Sequence, residues 1–490
     1  MTDARALFHE GVAHHTAARF PQAIDAYRRA IAGGLDIADA HANLGAAYYA
    51  VGAFEESAAE SRRALELQPS LVFARRNLGN ALSALDRKDE ALASLGAALS
   101  LDPRDANTLA DLGAVQHELG DFAGARNSFE DALRIHPDFP LALNNLGFLE
   151  REEGRTEAAA ALFERSLRLQ PGNPRVAYNL AMARLGQRRF AEGWELYKAR
   201  FHTRPPATVP RAFSIPALAP GEIGRVQRIA IWREQGAGDQ VLYSTTLVDL
   251  EARGQEFVLE IDARLVPAVR RAHPKWAVVT PGESPAAFSG CDRHAAMADV
   301  AAMLRPTTQS FASQPRAFLA ADAARASQYR ERLAQPGRRL VGISWHSFQK
   351  RAYIEGRKSA PLEAFASLAA RAGIRLVDLQ YGDTAAMRSR AGFDLARIEG
   401  LDLFNDLDGV LAAIAACDAV VTTSNVTAHL AGALGKRTLL IFLDGLPHFH
   451  YWVDPGTGRS LWYPSVELVS GPTIDSWPRA LARVDEILRG

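Results

Sequence analysis

The sequence predicts an α-helical repeat solenoid followed by an α/β region built from two strand–helix blocks. Three observations predict it. Small residues and prolines recur every 34 residues through the first two hundred positions. A proline-rich stretch then interrupts the periodicity. Beyond it, short apolar runs alternate with segments of helical spacing. At 490 residues the chain is too long for one compact core, so several units are expected.

The repeat comes first. Gly11, Gly45, Gly79, Gly113 and Gly147 stand 34 residues apart, as do Pro69, Pro103, Pro137 and Pro171, and Ala30, Ala64, Ala98 and Ala132. Small residues belong where two helices of a hairpin approach closely. Proline belongs just past a helix that it cannot continue. Five units run over residues 4–171, and a sixth, degenerate one reaches about Arg200 with Ala181 in the glycine place. The period and pattern resemble the tetratricopeptide repeat (TPR), a helix pair that stacks on its neighbours. Residues 1–201 are therefore expected to form a TPR solenoid.

One place in the period carries Asn43, Asn77, Asp111, Asn145 and Asn179, two residues before each glycine place. In a stack, equivalent positions form a column. Two readings stay open. The amides hydrogen-bond inside their own hairpins, or they form a peptide-binding ladder, as the similarity to the TPR solenoid of O-GlcNAc transferase implies. An amide offers donor and acceptor together, which suits a grip on peptide backbone.

Residues 202–226, with Pro205, Pro206, Pro210, Pro216 and Pro220, read as a linker lying against the next domain. RIAIW (228–232) is a strand, residues 240–254 have helical spacing, and EFVLEI (256–261) is a strand. A helix ending near His273 and the strand WAVVT (276–280) follow, while residues 281–335 give no clear assignment. The second block has strands at 339–345, 374–380, 418–423 and 437–443, and helices at 361–373, 407–418, 427–435 and 475–489. Such alternation indicates βα units on parallel sheets. Two Rossmann-like halves, 227–335 and 336–490, are expected to hold ligands in the cleft at the carboxyl ends of their strands.

The loops at those ends carry the chemistry. Gly236-Ala237-Gly238-Asp239 follows the first strand and opens a helix. Val241 stands where a dinucleotide fingerprint needs a third small residue, and no Gly-Lys-Ser/Thr follows. Gly236 and Gly238 let backbone approach a ligand, with Gln240 beside them. Asp239 suits two compatible roles, an N-cap and a base for an acceptor hydroxyl. In the second block, Thr422 through Thr427 lead onto a helix start, whose N–H groups and positive dipole end suit a phosphate. His429, in the first turn of that helix, is expected to donate to the phosphate. Ala431 and Gly432 are expected to let the helix pack close to the sheet. The loop after Trp345 holds His346, Ser347, Gln349, Lys350, Arg351, Arg357, Lys358 and Ser359, hydroxyls and cations fit for a diphosphate. Lys350 and Arg351 read as ordinary solvated cations.

With these turns, residues 228–470 resemble the GT-B glycosyltransferases of the heptosyltransferase type, in their TPR-fused form. The resemblance implies an acceptor side in the first half, a nucleotide-sugar donor side in the second, and no metal. The family's G-x-x-D turn falls on Gly236 through Asp239 and makes Asp239 the catalytic base. Its strand–Ser/Thr loop and nearby Lys fall on Ser344, His346, Ser347 and Lys358. Its D-T-x-x-x-H-L-x-A-A/G-x-G turn falls on Ser424 through Gly435, so that Ser424, Asn425, Thr427 and His429 hold the donor. Gln380, ending the strand 374–380, joins that set. Ser424 and Asn425 replace the usual Asp and Thr, so the donor need not be an ADP-heptose. The tail Leu461-Trp462-Tyr463-Pro464 also resembles TPR-fused members.

Composition narrows the partners. Lys plus Arg and Asp plus Glu each number 56, so the formal net charge is zero and no basic stripe for nucleic acid is expected. The start, MTDARALFHEG, has no apolar signal core, and no run is long enough to span a bilayer, so a cytoplasmic location is expected. Cys291 and Cys417 read as small buried apolar residues. Asp406-Leu407-Asp408 spells D-x-D but precedes a helix and reads as a cap; His448 and His450 lack further ligands, so no metal is assigned. The expectation is a metal-independent protein glycosyltransferase whose acceptor docks on the TPRs. Flagellin is the acceptor by analogy with bacterial flagellin glycosyltransferases, and a CMP-nonulosonic acid the corresponding donor. The alternatives are a lipid or polysaccharide acceptor, or a non-catalytic TPR scaffold with a degenerate transferase domain.

Overall fold

A computed structural model of the chain describes residues 3–348, 358–443, 450–454, 456–470 and 475–489. Paired helices come first: α1 (Ala4–Thr16) with α2 (Phe20–Ala32), α3 (Ala38–Ala50) with α4 (Phe54–Leu67), α5 (Val72–Ala84) with α6 (Lys88–Leu101), and α7 (Ala106–Glu118) with α8 (Phe122–Ile135). Next come α9 (Pro140–Glu152), α10 (Thr156–Leu169), α11 (Pro174–Gly186) and α12 (Phe190–Tyr197). The period has a visible cause. A Cβ at Gly11 would lie 2.5 Å from the Tyr27 ring, at Gly79 2.6 Å from Leu95, and at Gly113 2.6 Å from Phe129. At Gly45 it would meet Ser61 at 2.9 Å. Each partner sits on the second helix of the same hairpin, so only glycine allows this spacing. Pro69, Pro103, Pro137 and Pro171 each stand two residues beyond the end of a second helix. Contacts divide the chain into two units: Met1–Leu149 with Ala161–Pro171, and Glu150–Ala160 with Gly172–Gly490.

The second unit holds two wholly parallel sheets. The first has the order β3-β2-β1-β4, with β1 Arg228–Trp232, β2 Glu256–Glu260, β3 Ala277–Val279 and β4 Arg293–Ala296. The second has the order β6-β5-β7-β8-β9, with β5 Arg339–Ser344, β6 Ile374–Asp378, β7 Ala419–Thr422, β8 Thr438–Ile441 and β9 Val466–Val469. Buried on both faces, most of these strands read as nearly unbroken apolar runs. One core joins Leu185 of α11 and Phe190 and Trp194 of α12 to Ile229 and Ile231 of the first sheet and Val420 and Leu440 of the second.

Three features differ from the sequence expectation. The helix expected over 240–254 is broken: α13 spans Ala237–Ser244, a 3-10 turn Thr245–Leu247, and a short helix Val248–Ala252. Thr245 and Thr246 cause the break, because their hydroxyls donate to the carbonyls of Leu242 and Tyr243 at 2.6 and 2.8 Å. The helix expected over 361–373 is only a 3-10 turn, Leu362–Phe365, and one helical turn, Ala366–Ala369. Strands β4 and β9 lie in stretches without a sequence assignment. The proline-rich stretch also contributes to a sheet: Ala217 bridges His294 on edge strand β4 in parallel, with Leu218 N–H donating to the His294 carbonyl at 2.7 Å.

Candidate active site

A cavity of about 420 Å³ opens at the carboxyl ends of β1, β5 and β7. One wall is the glycine turn after β1. Gly236 is the N-cap of α13, and Asp239 is the third residue of that helix. The nearby backbone N–H groups of Gly236 and of Asp239 itself favour its charged form. Burial outweighs them and pushes the carboxyl up to about 6, with Glu234 adding repulsion. Such a group is poised to accept a proton near neutral pH. Gly238 is needed for a different reason: a Cβ there would lie 3.0 Å from Cδ2 of His429, on the opposite wall.

That opposite wall is the helix Val426–Ala433. Asn425 caps it, its Oδ1 accepting from Thr427 N–H at 2.9 Å. The Asn425 amide donates to Ser344 Oγ at 2.8 Å, and Ser344 Oγ donates to Gln380 Oε1 at 3.0 Å. The same Gln380 oxygen accepts the N–H groups of Trp345 and His346 at 2.8 and 2.7 Å. Gln380 therefore staples the ends of β5 and β6, and Asn425 ties them to β7. Ser424 Oγ accepts from Trp452 Nε1 at 2.9 Å. His429 Nδ1 lies 3.1 Å from the Tyr463 hydroxyl, and its ring packs on Tyr451 and Trp452. Gly432 makes room for Tyr463 rather than for the sheet: a Cβ would lie 2.6 Å from the tyrosine ring. Lys358 completes this side, where burial pushes its ammonium down to about 8.

The structure brings together Gly236, Gly238, Asp239, Ser347, Lys358, Ser424, Asn425 and His429 around the cavity. Ser344, His346, Gln380, Thr427 and Gln240 do not line it. They are buried in the wall, where Gln240, for example, donates to the Gln235 carbonyl and accepts from Asp262 N–H. Their hydrogen bonds tie the turns together. Gln349, Lys350, Arg351, Arg357 and His448 lie outside the described residues, as does the His450 side chain. Sequence reasoning missed Arg264, Tyr381, Phe404 and Tyr451, which also line the cavity. Arg264 crosses from the first half to donate to the Phe404 carbonyl at 2.9 Å, with its guanidinium 5.5 Å from that ring. The position of Tyr381, directly after the strand ending in Gln380, was a usable signal; Arg264 and Tyr451 sit in short 3-10 turns and Phe404 in a loop.

Asp406 caps the helix Leu407–Ala416 and pairs with Arg325, and Asp408 pairs with Arg271. Among the described residues no group of His, Cys, Asp or Glu is arranged to hold a metal, and no helix is long and apolar enough to cross a membrane. Both cysteines are buried. In the asparagine column, Asn77 donates to the Ala42 carbonyl of the preceding repeat at 3.1 Å, and Asn43 to Asp39 in its own helix at 2.8 Å. Asp111 accepts from Asn80 at 2.8 Å. Asn145 accepts from Asn144, and Asn179 is buried.

Comparison with known proteins agrees with the helical part. The tetratricopeptide repeat family matches residues 8–71, 76–140 and 118–174, and a second tetratricopeptide repeat family matches 150–199. Among solved structures, the chain is similar to a thermophilic TPR protein of Thermus thermophilus, at 22% identity over 37% of this chain and 99% of that one, TM-score 0.35. It is also similar to MamA, at 24% identity over 33% of this chain and 94% of that one, TM-score 0.28. PilF of Pseudomonas aeruginosa follows at 23% identity over 42% and 86%, TM-score 0.32. Protein FlbA of Caulobacter vibrioides is 33% identical over 325 residues, which is 61% of this chain and 52% of that protein. The chain thus spans about half the length of the curated relative it matches. Because the paired helices end by residue 197 and the match covers 61% of the chain, the similarity runs on into the α/β region. The chain therefore carries tetratricopeptide repeats through its first two hundred or so residues, is similar to Protein FlbA beyond them, and continues into an α/β region of parallel sheets.

Proposed function

We propose that the chain is a GT-B glycosyltransferase that moves a sugar from a nucleotide donor to a hydroxyl of a protein acceptor docked on the TPR solenoid. One observation carries the reading. A buried carboxylate on one helix start and a histidine on another meet across a single cavity at the carboxyl ends of two parallel sheets. The acceptor oxygen bonds to the anomeric carbon while the bond from that carbon to the donor phosphate breaks. The acceptor proton passes to Asp239, and the leaving phosphate keeps the electron pair. Lys358, His429 and the N–H groups at the start of Val426–Ala433 stabilise the growing negative charge. Ser424 and Asn425 serve as a hydroxyl and a cap rather than as acid and hydroxyl, so the sugar contacts differ from those of an ADP-heptose enzyme. The repeats favour a protein acceptor, with flagellin the analogy, and the enzyme works in the cytoplasm.

The test is the thermal shift of the purified protein with UDP, GDP, ADP, CMP and CDP. A ligand at a hundred times its Kd adds about 2.7 kcal/mol of native-state stability, so one nucleotide raises the melting temperature clearly. Lys358→Ala and His429→Ala abolish that shift. A chain indifferent to all five nucleotides is a scaffold instead.

A further inference from the structure

The glycine turn is held from outside its own half. Gln235, directly before Gly236, has φ +52, a left-handed backbone that a glutamine rarely adopts and that its surroundings must enforce. Its amide nitrogen donates to the Tyr197 hydroxyl at 3.1 Å and lies 3.4 Å from Thr208 Oγ1. The Tyr197 hydroxyl is in turn 3.3 Å from that of Tyr243 on α13. Glu234, one residue earlier, is fully buried and faces Arg200, equally buried. Arg200 Nε and Nη2 donate to the two Glu234 oxygens at 2.7 and 3.2 Å, and Nη2 donates also to Asp299 at 2.7 Å. The guanidinium stacks 4.0 Å from the Phe201 ring, and Nη1 donates to the Tyr197 carbonyl at 3.3 Å. Tyr197 ends α12 and Arg200 lies in the 3-10 turn after it. Both belong to the sixth helical unit, not to the α/β halves.

We propose that this last repeat is a clamp on the glycine turn, with Tyr197 and Arg200 as positioning residues that set where Asp239 stands in the cavity. The inference rests on the reading of Asp239 as the proton acceptor. A docking interface alone would need only the apolar contact that Trp194 and Phe190 already supply. Here two polar side chains instead reach the two residues that precede Gly236, and they hold one of them in a strained backbone. Anything that shifts the sixth repeat shifts the turn with it.

The experiment reads Asp239 itself. Full-length protein labelled with [4-13C]aspartate is titrated by NMR, and Asp239→Asn assigns the resonance. The groups that face Asp239 are Glu234, Tyr178, Tyr243, Tyr451 and Tyr463, with His429 across the cavity. Tyr197→Phe removes one hydroxyl and keeps the ring. Loosening the turn admits water, so the Asp239 midpoint falls by about one pH unit, a tenfold change in proton affinity. Gln235→Gly, which accepts the same backbone without the amide, moves it in the same direction. Tyr27→Phe leaves it unmoved. An Asp239 midpoint identical in the wild type, Tyr197→Phe and Gln235→Gly overturns the clamp. Since no donor or acceptor enters this measurement, the clamp and the transferase reading fail separately: a nucleotide-indifferent protein with a shifted midpoint loses only the transferase.

Discussion

Tyr27 and Tyr197 hold the same place in the 34-residue period but serve different ends. In the first repeat the Tyr27 ring fills the notch left by Gly11, and its buried hydroxyl makes no hydrogen bond among the described residues. Burial pushes that hydroxyl up to about 12. In the sixth, Ala181 stands in the glycine place and the Tyr197 hydroxyl holds Gln235. The period thus fixes where a ring goes, and the partner of its polar atom decides whether the position is packing or machinery. A repeat unit becomes specialised without leaving its register.

The comparison can be broken first at Arg200. Arg200→Met leaves Glu234 charged and buried, at a cost of about 3–5 kcal/mol in the unfolding of the α/β unit by denaturant. A paired surface arginine such as Arg87, beside Glu90, changes little when replaced. Asp239→Asn comes next and bears on the same turn. The native state binds the Asp239 proton more tightly than the unfolded chain, whose aspartate sits near 3.8. The contribution of Asp239 to stability therefore falls as pH rises from about 4 through about 6. The asparagine variant lacks that loss and is the more stable at pH 7, with the difference vanishing below about pH 4. Third, Gly113→Ala drives a methyl into Phe129 and destabilises by about 1–3 kcal/mol. The smallest effects are the sharpest. Tyr197→Phe loses about 1 kcal/mol with its hydrogen bonds, whereas Tyr27→Phe is neutral or slightly stabilising because it removes an unsatisfied hydroxyl. Thermal melts of the two variants check the sign.

The repeat was legible because its cause is local: a glycine opposite a bulky residue in one hairpin leaves the same mark every period. The parallel sheets were legible because strands covered on both faces are apolar throughout. The two turns that meet at the cavity could be found because each follows a strand and opens a helix. What escaped has other causes. Arg264 and Tyr451 reach the cavity from 3-10 turns too short to carry a period and Phe404 from a loop, and only the closed fold brings them near. Hydroxyls and amides at strand ends suit phosphates, and that pattern does not disclose that Ser344 and Gln380 bond to one another. Gln235 gave no warning, since a left-handed backbone at glutamine is unexpected until its neighbours are known. The broken helix at Thr245 and Thr246 was overlooked because apolar spacing alone ignores hydroxyls that compete for backbone carbonyls.

The contact between Ala217 and His294 changes what the proline-rich stretch is for. An edge strand offers unpaired backbone groups to any passing chain. Here Pro216 and Leu218 occupy those of His294, and Phe213 lies stacked on the same imidazole at 4.1 Å. Pro216 and Pro220, on either side, have no N–H with which to recruit a further strand. The segment therefore also seals the edge at His294. It cannot be lengthened or trimmed at will: a version of this protein that lost it would bare the edge at His294 and uncover the core that Phe213 and Ile215 pack against.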